Sequence, residues 1–249
     1  MFDVKYHEMP GGGRIAYRHI RGTGPTLVFL PGYMSDMDGG KATALLDWAR
    51  EQGRACLLLD YSGCGKSDGE FADGTLSKWR DEVLALIEAT VDGEVLVIGS
   101  SMGGWLMLLV GAALGERLAG MVGIAAAPDF TEWGYSDEQQ AQMSAGDTVF
   151  EDNPYGPEPP PPHPGFFADG QVQRLLGTSI AIDAPVRLLH GQRDADVPWS
   201  VSQRLADAVR SDAVQVTFVK DGDHRLSRPQ DIALLLRTVD GLIHDLEHT

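Results

Sequence analysis

Cysteine is nearly absent from this chain of 249 residues: only Cys56 and Cys64 occur. One lies in the apolar run Ala55-Cys56-Leu57-Leu58-Leu59 and the other in a glycine-rich loop, so neither a disulfide framework nor a zinc or redox-pair spacing is present. That usage fits a reducing compartment. Basic side chains are also scarce, with 20 Lys and Arg against 36 Asp and Glu, for a formal charge of −16. Such a surface repels phosphate backbones and anionic lipid, which argues against nucleic acid and against a polybasic membrane anchor. Long apolar runs are missing too. The longest, Trp105 to Leu114, contains Gly111 and Ala112, is too short to span a bilayer, and reads as a buried helix. The start Met1-Phe2-Asp3-Val4-Lys5-Tyr6-His7-Glu8 has no basic segment followed by an apolar one, so no secretory leader is expected. A cytoplasmic protein without stable membrane insertion is the expectation. No internal repeat is apparent.

What is present is the composition of an ordinary globular protein, 43% hydrophobic and 22% charged, at a length that α/β folds reach undivided. One domain over residues 1–249 is expected. Short apolar strands alternate with helical patterns, the sign of a mostly parallel, twisted sheet of about eight strands covered by helices on both faces. Strands are read at Ile15–Arg18, Thr26–Phe29, Cys56–Asp60, Val95–Gly99, Leu118–Ile124, Val186–Leu189 and Val214–Val219, the last an edge strand. Helices are read at Lys41–Gln52, Leu76–Thr90, Gly103–Leu114, Val201–Val209 and Pro229–Leu246. Crossovers are expected to stack the strands in chain order. Between Ala127 and Asp183 the alternation breaks. Asp129–Ser144 is polar, Pro157–Pro164 reads as an extended proline strap, and Phe166–Leu176 resumes a short amphipathic helix. Residues 128–183 are therefore expected to form a lid insertion.

The most informative run is Val95-Leu96-Val97-Ile98-Gly99-Ser100-Ser101-Met102-Gly103-Gly104-Trp105-Leu106. An apolar strand enters a Gly-x-Ser-x-Gly corner and leaves as an apolar helix, which pushes the Ser101 hydroxyl out of the sheet as a candidate nucleophile. A serine hydroxyl is a poor nucleophile at neutral pH, so it needs a base within reach and an acid to orient that base. His224, in the polar loop between the last strand and last helix, can reach over the sheet edge. His7, His19, His244 and His248 read as solvent-facing, His163 belongs to the strap, and His190 is assigned a hydrogen-bonding role in a turn. For the acid, Asp194 follows a strand end by a short turn aimed at His224, while Asp196 is expected to point away. Asp223 is read as solvated or holding its loop.

An oxyanion needs two preorganised donors. The Met102 N–H is one, and the Tyr33 N–H, in the loop Pro31-Gly32-Tyr33-Met34-Ser35, is the other. Asp60-Tyr61-Ser62-Gly63-Cys64-Gly65-Lys66-Ser67-Asp68 does not open a helix directly, so it reads as a brace for that loop rather than a phosphate cradle. Cys64 has no histidine beside it in sequence to activate it.

These pieces together resemble the α/β-hydrolase superfamily from about Gly13 to Leu246. The nearer likeness is to its branch of mitochondrial palmitoyl-protein thioesterases and acyl-glucuronide esterases, carried by Pro31-Gly32-Tyr33-Met34-Ser35, Asp60-Tyr61-Ser62-Gly63, Gly99–Leu108, Arg187–Gly191 and Asp223-His224-Arg225. The resemblance implies the α/β-hydrolase fold, Ser101 as nucleophile, Asp194 as orienting acid and His224 as base. It implies hydrolysis of small-molecule esters or acyl thioesters through an acyl-enzyme, with no metal or organic cofactor. The absence of a leader and the proline-rich lid depart from that branch, so its organellar location and acyl preference are not carried over. Two alternatives stay open. A proline-type aminopeptidase would need a carboxylate near the lid, for which Glu132, Glu138 and Glu151 are available, and a receptor would bind a small molecule without turnover.

Overall fold

The computed structural model describes residues 3–149 and 163–248. Eight strands form one sheet: β1 (Lys5–Glu8), β2 (Arg14–Ile20), β3 (Thr23–Leu30), β4 (Arg54–Leu59), β5 (Val95–Ser100), β6 (Leu118–Ile124), β7 (Val186–Gly191) and β8 (Val214–Val219). Their spatial order is β1-β2-β4-β3-β5-β6-β7-β8, parallel from β4 onward and antiparallel at β1 and β2. The central strands are buried on both faces, and Val95 to Ser100 carries no exposed residue. That double burial is why they read as unbroken apolar runs.

Two expectations need correction. The strands do not stack in chain order, because β3 lies between β4 and β5. The chain leaves β3 to one side through α1 (Gly40–Glu51) and returns past it through α2 (Leu76–Thr90) to reach β5. Such a reversal opens a crevice beyond the carboxyl ends of the two strands it separates, where open α/β sheets bind ligands. Those ends are Pro31 and Ser101. The sequence reading also missed β1, whose residues are mostly exposed and have no apolar alternation to register.

The remaining helices are α3 (Met102–Leu114), α4 (Phe130–Trp133), α5 (Asp137–Ser144), α6 (Pro164–Val172), α7 (Ser200–Ala208) and α8 (Pro229–Glu247). α1 and α8 pack one face through Leu45, Leu46, Leu235 and Val239. α2 and α3 cover the other through Trp79, Val83, Trp105 and Leu106. Apolar residues surround α3, as befits a helix wedged between the sheet and other helices. The polar stretch 129–144 is not irregular but holds α4 and α5, the latter started by a capping box of Ser136 and Gln139. Pro164 opens α6 at a first-turn position, where its missing N–H is harmless. The strap residues Pro157 to Pro162 lie outside the described residues, as does Glu151. Among the described residues no helix is long and apolar enough to cross a membrane.

Glycine is required where α3 leaves the sheet. A Cβ on Gly103 would stand 2.1 Å from the Leu30 carbonyl oxygen and 2.4 Å from that of Pro31, both main chain. Gly103→Ala is therefore expected to lower stability by about 2–4 kcal/mol. The exposed helical Gly241 has nothing within 4 Å of such a Cβ, so Gly241→Ala should raise stability by up to about 1 kcal/mol. Thermal melts of the two variants should move in opposite directions.

Candidate active site

Ser101 joins β5 to α3 with φ 55° and ψ −121°, a conformation that side chains other than glycine rarely adopt. The strain, on the order of 1–3 kcal/mol, is held by the surrounding main chain. Ser101 N–H donates to the Ile124 carbonyl at 2.9 Å, and the Ser101 carbonyl accepts from Gly104 at 2.8 Å and Ala127 at 3.0 Å. Small residues allow the close crossing: a Cβ on Gly99 would lie 2.3 Å from the Gly103 oxygen, and one on Gly104 2.4 Å from the Ala126 Cβ.

His224 arrives from the loop between β8 and α8. Its Nε2 lies 3.0 Å from Ser101 Oγ and its Nδ1 2.8 Å from Asp194 Oδ2. Since a carboxylate only accepts, Nδ1 carries the proton and Nε2 is free to accept from the serine hydroxyl. The loop is clamped from α1, where Lys41 Nζ donates to the Arg225 carbonyl at 2.5 Å and to Ser227 Oγ at 3.3 Å. Burial, reinforced by Arg225, brings the Lys41 ammonium down to about 8. Asp223, assigned to its own loop, accepts the Leu226 N–H at 3.0 Å, which supports Leu226 at φ 42°.

Asp194 has a fully buried side chain. Its Oδ1 accepts the N–H groups of Asp196 at 2.9 Å and Val197 at 2.8 Å, while Oδ2 faces His224 and lies 3.2 Å from His190 Nε2. Burial alone would push this carboxyl up. The contacts from His190 and His224, the charge of His224 and the Val197 N–H outweigh it and hold the group well below the usual range. Asp196 is exposed but does not point away as expected: its carboxylate lies within 4.8 Å of the donor atoms of Asp194 and His224. The short 194–197 turn keeps both aspartates on one side.

The loop Pro31–Ser35 runs beside Ser101. A Cβ on Gly32 would sit 3.4 Å from Ser101 Cβ and 3.3 Å from the Ser100 oxygen, so glycine keeps the space above Ser101 open. The Met102 N–H, at the first position of α3, has no carbonyl one helical turn earlier to meet. The glycine-rich loop after β4 is the expected brace: Tyr61 Oη donates to the Pro31 carbonyl at 3.0 Å, and Asp60 accepts the N–H groups of Met37 at 2.7 Å and Lys66 at 2.8 Å. Burial, with the nearby Asp60 and Glu82 charges, pushes the Cys64 thiol up to about 12, so it is not a reactive thiolate.

The other histidines are accounted for. His244 and His248 are exposed, whereas His7 on β1 and His19 on β2 are half-buried rather than solvent-facing. His163 packs edge-on to Phe71. His190 is fully buried, with Nδ1 2.7 Å from Ser202 Oγ and Nε2 3.0 Å from the Val197 carbonyl oxygen. Its spacing of four residues before Asp194 was the available signal for that contact. Of the lid carboxylates, Glu132 is paired with Arg174 at 3.2 Å and Glu138 is exposed.

The alpha/beta hydrolase family profile matches residues 27–235. Human palmitoyl-protein thioesterase ABHD10, mitochondrial, is 37% identical over 98% of this chain and 81% of its own length. Mouse alpha/beta hydrolase domain-containing protein 10 superposes with a TM-score of 0.91 at 35% identity, covering 98% of this chain and 99% of that one. Est1E from Butyrivibrio proteoclasticus, solved with ferulic acid, shares the fold with a TM-score of 0.80 at 18% identity, over 98% of this chain and 100% of that one. The cytoplasmic expectation is overturned here, since these curated relatives from human and mouse are named mitochondrial. Two free cysteines speak for a reducing compartment and do not tell one such compartment from another. With the reversal at β3, the strained serine between β5 and α3, and a profile match over most of its length, the chain belongs to the alpha/beta hydrolase family.

Proposed function

We propose that the protein is a serine hydrolase that cleaves carboxylic esters or thioesters, with Ser101 as nucleophile, His224 as general base and acid, and Asp194 as the carboxylate that orients and balances His224. The observation that carries this reading is the line from Ser101 Oγ through His224 to Asp194, with separations of 3.0 and 2.8 Å. Ser101 Oγ attacks the acyl carbonyl as its proton passes to His224 Nε2. Asp194 then faces an imidazolium, and the N–H groups of Met102 and Tyr33 receive the oxyanion. Collapse of the intermediate expels the alcohol or thiol, which takes the proton back from His224. A water activated by the same imidazole then releases the acid from Ser101. An acyl thioester is the favoured substrate class, because the human relative is named a palmitoyl-protein thioesterase. A segment over residues 128–183 serves as the lid.

A peptidase reading is weaker because Glu132 already has Arg174 as its counter-ion. A receptor without turnover would not need a base within hydrogen-bonding distance of Ser101.

Wild-type protein should take a fluorophosphonate label and hydrolyse p-nitrophenyl esters and acyl thioesters, while Ser101→Ala should lose the label and at least about 10⁴-fold in kcat. Steady thioesterase turnover rising with chain length is the expected profile, and a single stoichiometric burst with retained product would favour the receptor instead. Asp194→Asn should keep the fold near pH 7 and lose about 10⁴-fold in kcat, through the wrong imidazole tautomer. Acid stability supplies a second readout for that variant. Because the folded Asp194 carboxyl is held low, its contribution is present above the unfolded value near 4 and is lost as pH falls towards the folded value. Denaturation midpoints between about pH 5 and pH 2 should therefore fall less steeply for Asp194→Asn than for wild type.

A further inference from the structure

We infer that His190, locked as a neutral Nε2–H imidazole by Ser202, is a positioning residue that holds the Asp194 carboxylate in the orientation His224 requires. This rests on the proposed roles of Ser101, His224 and Asp194. The partners of His190 fix its protonation. Its Nε2 stands 3.0 Å from the Val197 carbonyl oxygen and 3.2 Å from Asp194 Oδ2, and both of those atoms only accept. The proton therefore resides on Nε2. In the inferred state Nδ1 accepts from the Ser202 hydroxyl 2.7 Å away, a group that can donate as well as accept. Ser202, on α7, is itself buried, as is the ring, so no water competes for either nitrogen.

The consequence is a peg inside the turn that carries Asp194. The Nε2–H binds the Val197 carbonyl, and the N–H of the same residue binds Asp194 Oδ1 at 2.8 Å. His190 thus restrains the carboxylate by two routes, through the Val197 peptide at Oδ1 and by its own positive ring edge at Oδ2. In that inferred tautomer the ring carries no net charge, so the full negative charge of Asp194 remains available to the imidazolium of the proposed acyl transfer. Removing the ring would leave the Val197 carbonyl and the carboxylate short of a donor in a buried place. It would also make Asp194 more basic, since each donor to a carboxylate lowers its proton affinity.

Two sets of measurements test this. In protein labelled with ¹⁵N-histidine, His190 should show the neutral Nε2–H tautomer, and Ser202→Ala should weaken that preference. An Nδ1–H tautomer in wild type would overturn the assignment whether or not the protein turns out to be an enzyme. In kinetics, His190→Leu should lower kcat by about 10–100-fold with KM changed less than about threefold, as expected for a misplaced catalytic geometry. The acid limb of its kcat/KM profile should move to higher pH, and His190→Gln, which can present an N–H at the place of Nε2, should recover part of the loss. Loss of activity with an unmoved acid limb and no recovery in Gln would mean a merely structural histidine. If His190→Leu does not fold, Ser202→Ala decides: a fall in kcat with the same limb movement supports the role, and wild-type kinetics with an unchanged tautomer overturns it. A wild type that takes no fluorophosphonate label refutes the hydrolase reading separately.

Discussion

Everything at the site depends on one backbone strain, the φ of 55° at Ser101. A residue other than glycine keeps that conformation only where its surroundings leave no alternative. Here β6 and the segment just after it supply the constraint, with Ile124 taking the Ser101 N–H and Ala127 giving its N–H to the Ser101 carbonyl. The strand that pairs with β5 therefore also fixes the backbone of Ser101, the proposed nucleophile. Glycine at 99 lets the two arms of the corner close on each other, and glycines at 103 and 104 let α3 pass the end of β3 and Ala126. Under the proposed mechanism stability and reactivity are coupled at this point, because the corner backbone sets the 3.0 Å separation of the hydroxyl from His224.

The second requirement is a buried carboxylate that stays ionised. Removing a carboxylate from water raises its pKa unless hydrogen bonds to the charged form compensate. Asp194 meets this with two main-chain donors on one oxygen and two imidazoles facing the other. The result is a carboxylate whose geometry is fixed by its neighbours, and in the proposed reaction such electrostatic preorganisation lowers the barrier without reorganisation. His224 is partly exposed by contrast, 18% for its side chain. In the proposed mechanism it meets substrate on one side while facing the carboxylate on the other.

How much was legible in the sequence follows from how local each determinant is. Val95 to Leu114 announces its strand, corner and helix because a fully buried strand and a glycine-bounded serine are patterns of adjacent residues. The positions of Asp194 and His224 were legible only once the corner was recognised, since 93 and 123 residues separate them from Ser101 and no periodicity links the three. The β3–β4 exchange was not legible, because strand order is decided by which face each crossover helix covers, a property of packing rather than of either strand. β1 escaped because an exposed edge strand needs main-chain pairing and little apolar pattern. The side of the turn on which Asp196 falls depends on two backbone bonds to Asp194 Oδ1, which composition does not encode.

The segment least regular in sequence is also the one most directly tied to the oxyanion loop. Tyr33 packs edge-on against Phe71 at 4.9 Å, Phe166 at 5.1 Å and Phe130 at 6.4 Å between ring centroids. Phe130 and Phe166 belong to α4 and α6. α6 in turn is bonded to α2, where Asp169 accepts the Ser77 N–H at 2.8 Å and its hydroxyl at 2.6 Å. Just beyond α6, the Gln173 carbonyl accepts from Trp105 of α3 at 3.1 Å. Aromatic pairs of this kind contribute about 0.5–1.5 kcal/mol each beyond their buried area, so α6 cannot shift without disturbing the ring of the residue whose main-chain N–H is proposed to face the oxyanion. The packing of α4 and α6 and the position of the proposed oxyanion loop are thereby joined at one residue, Tyr33.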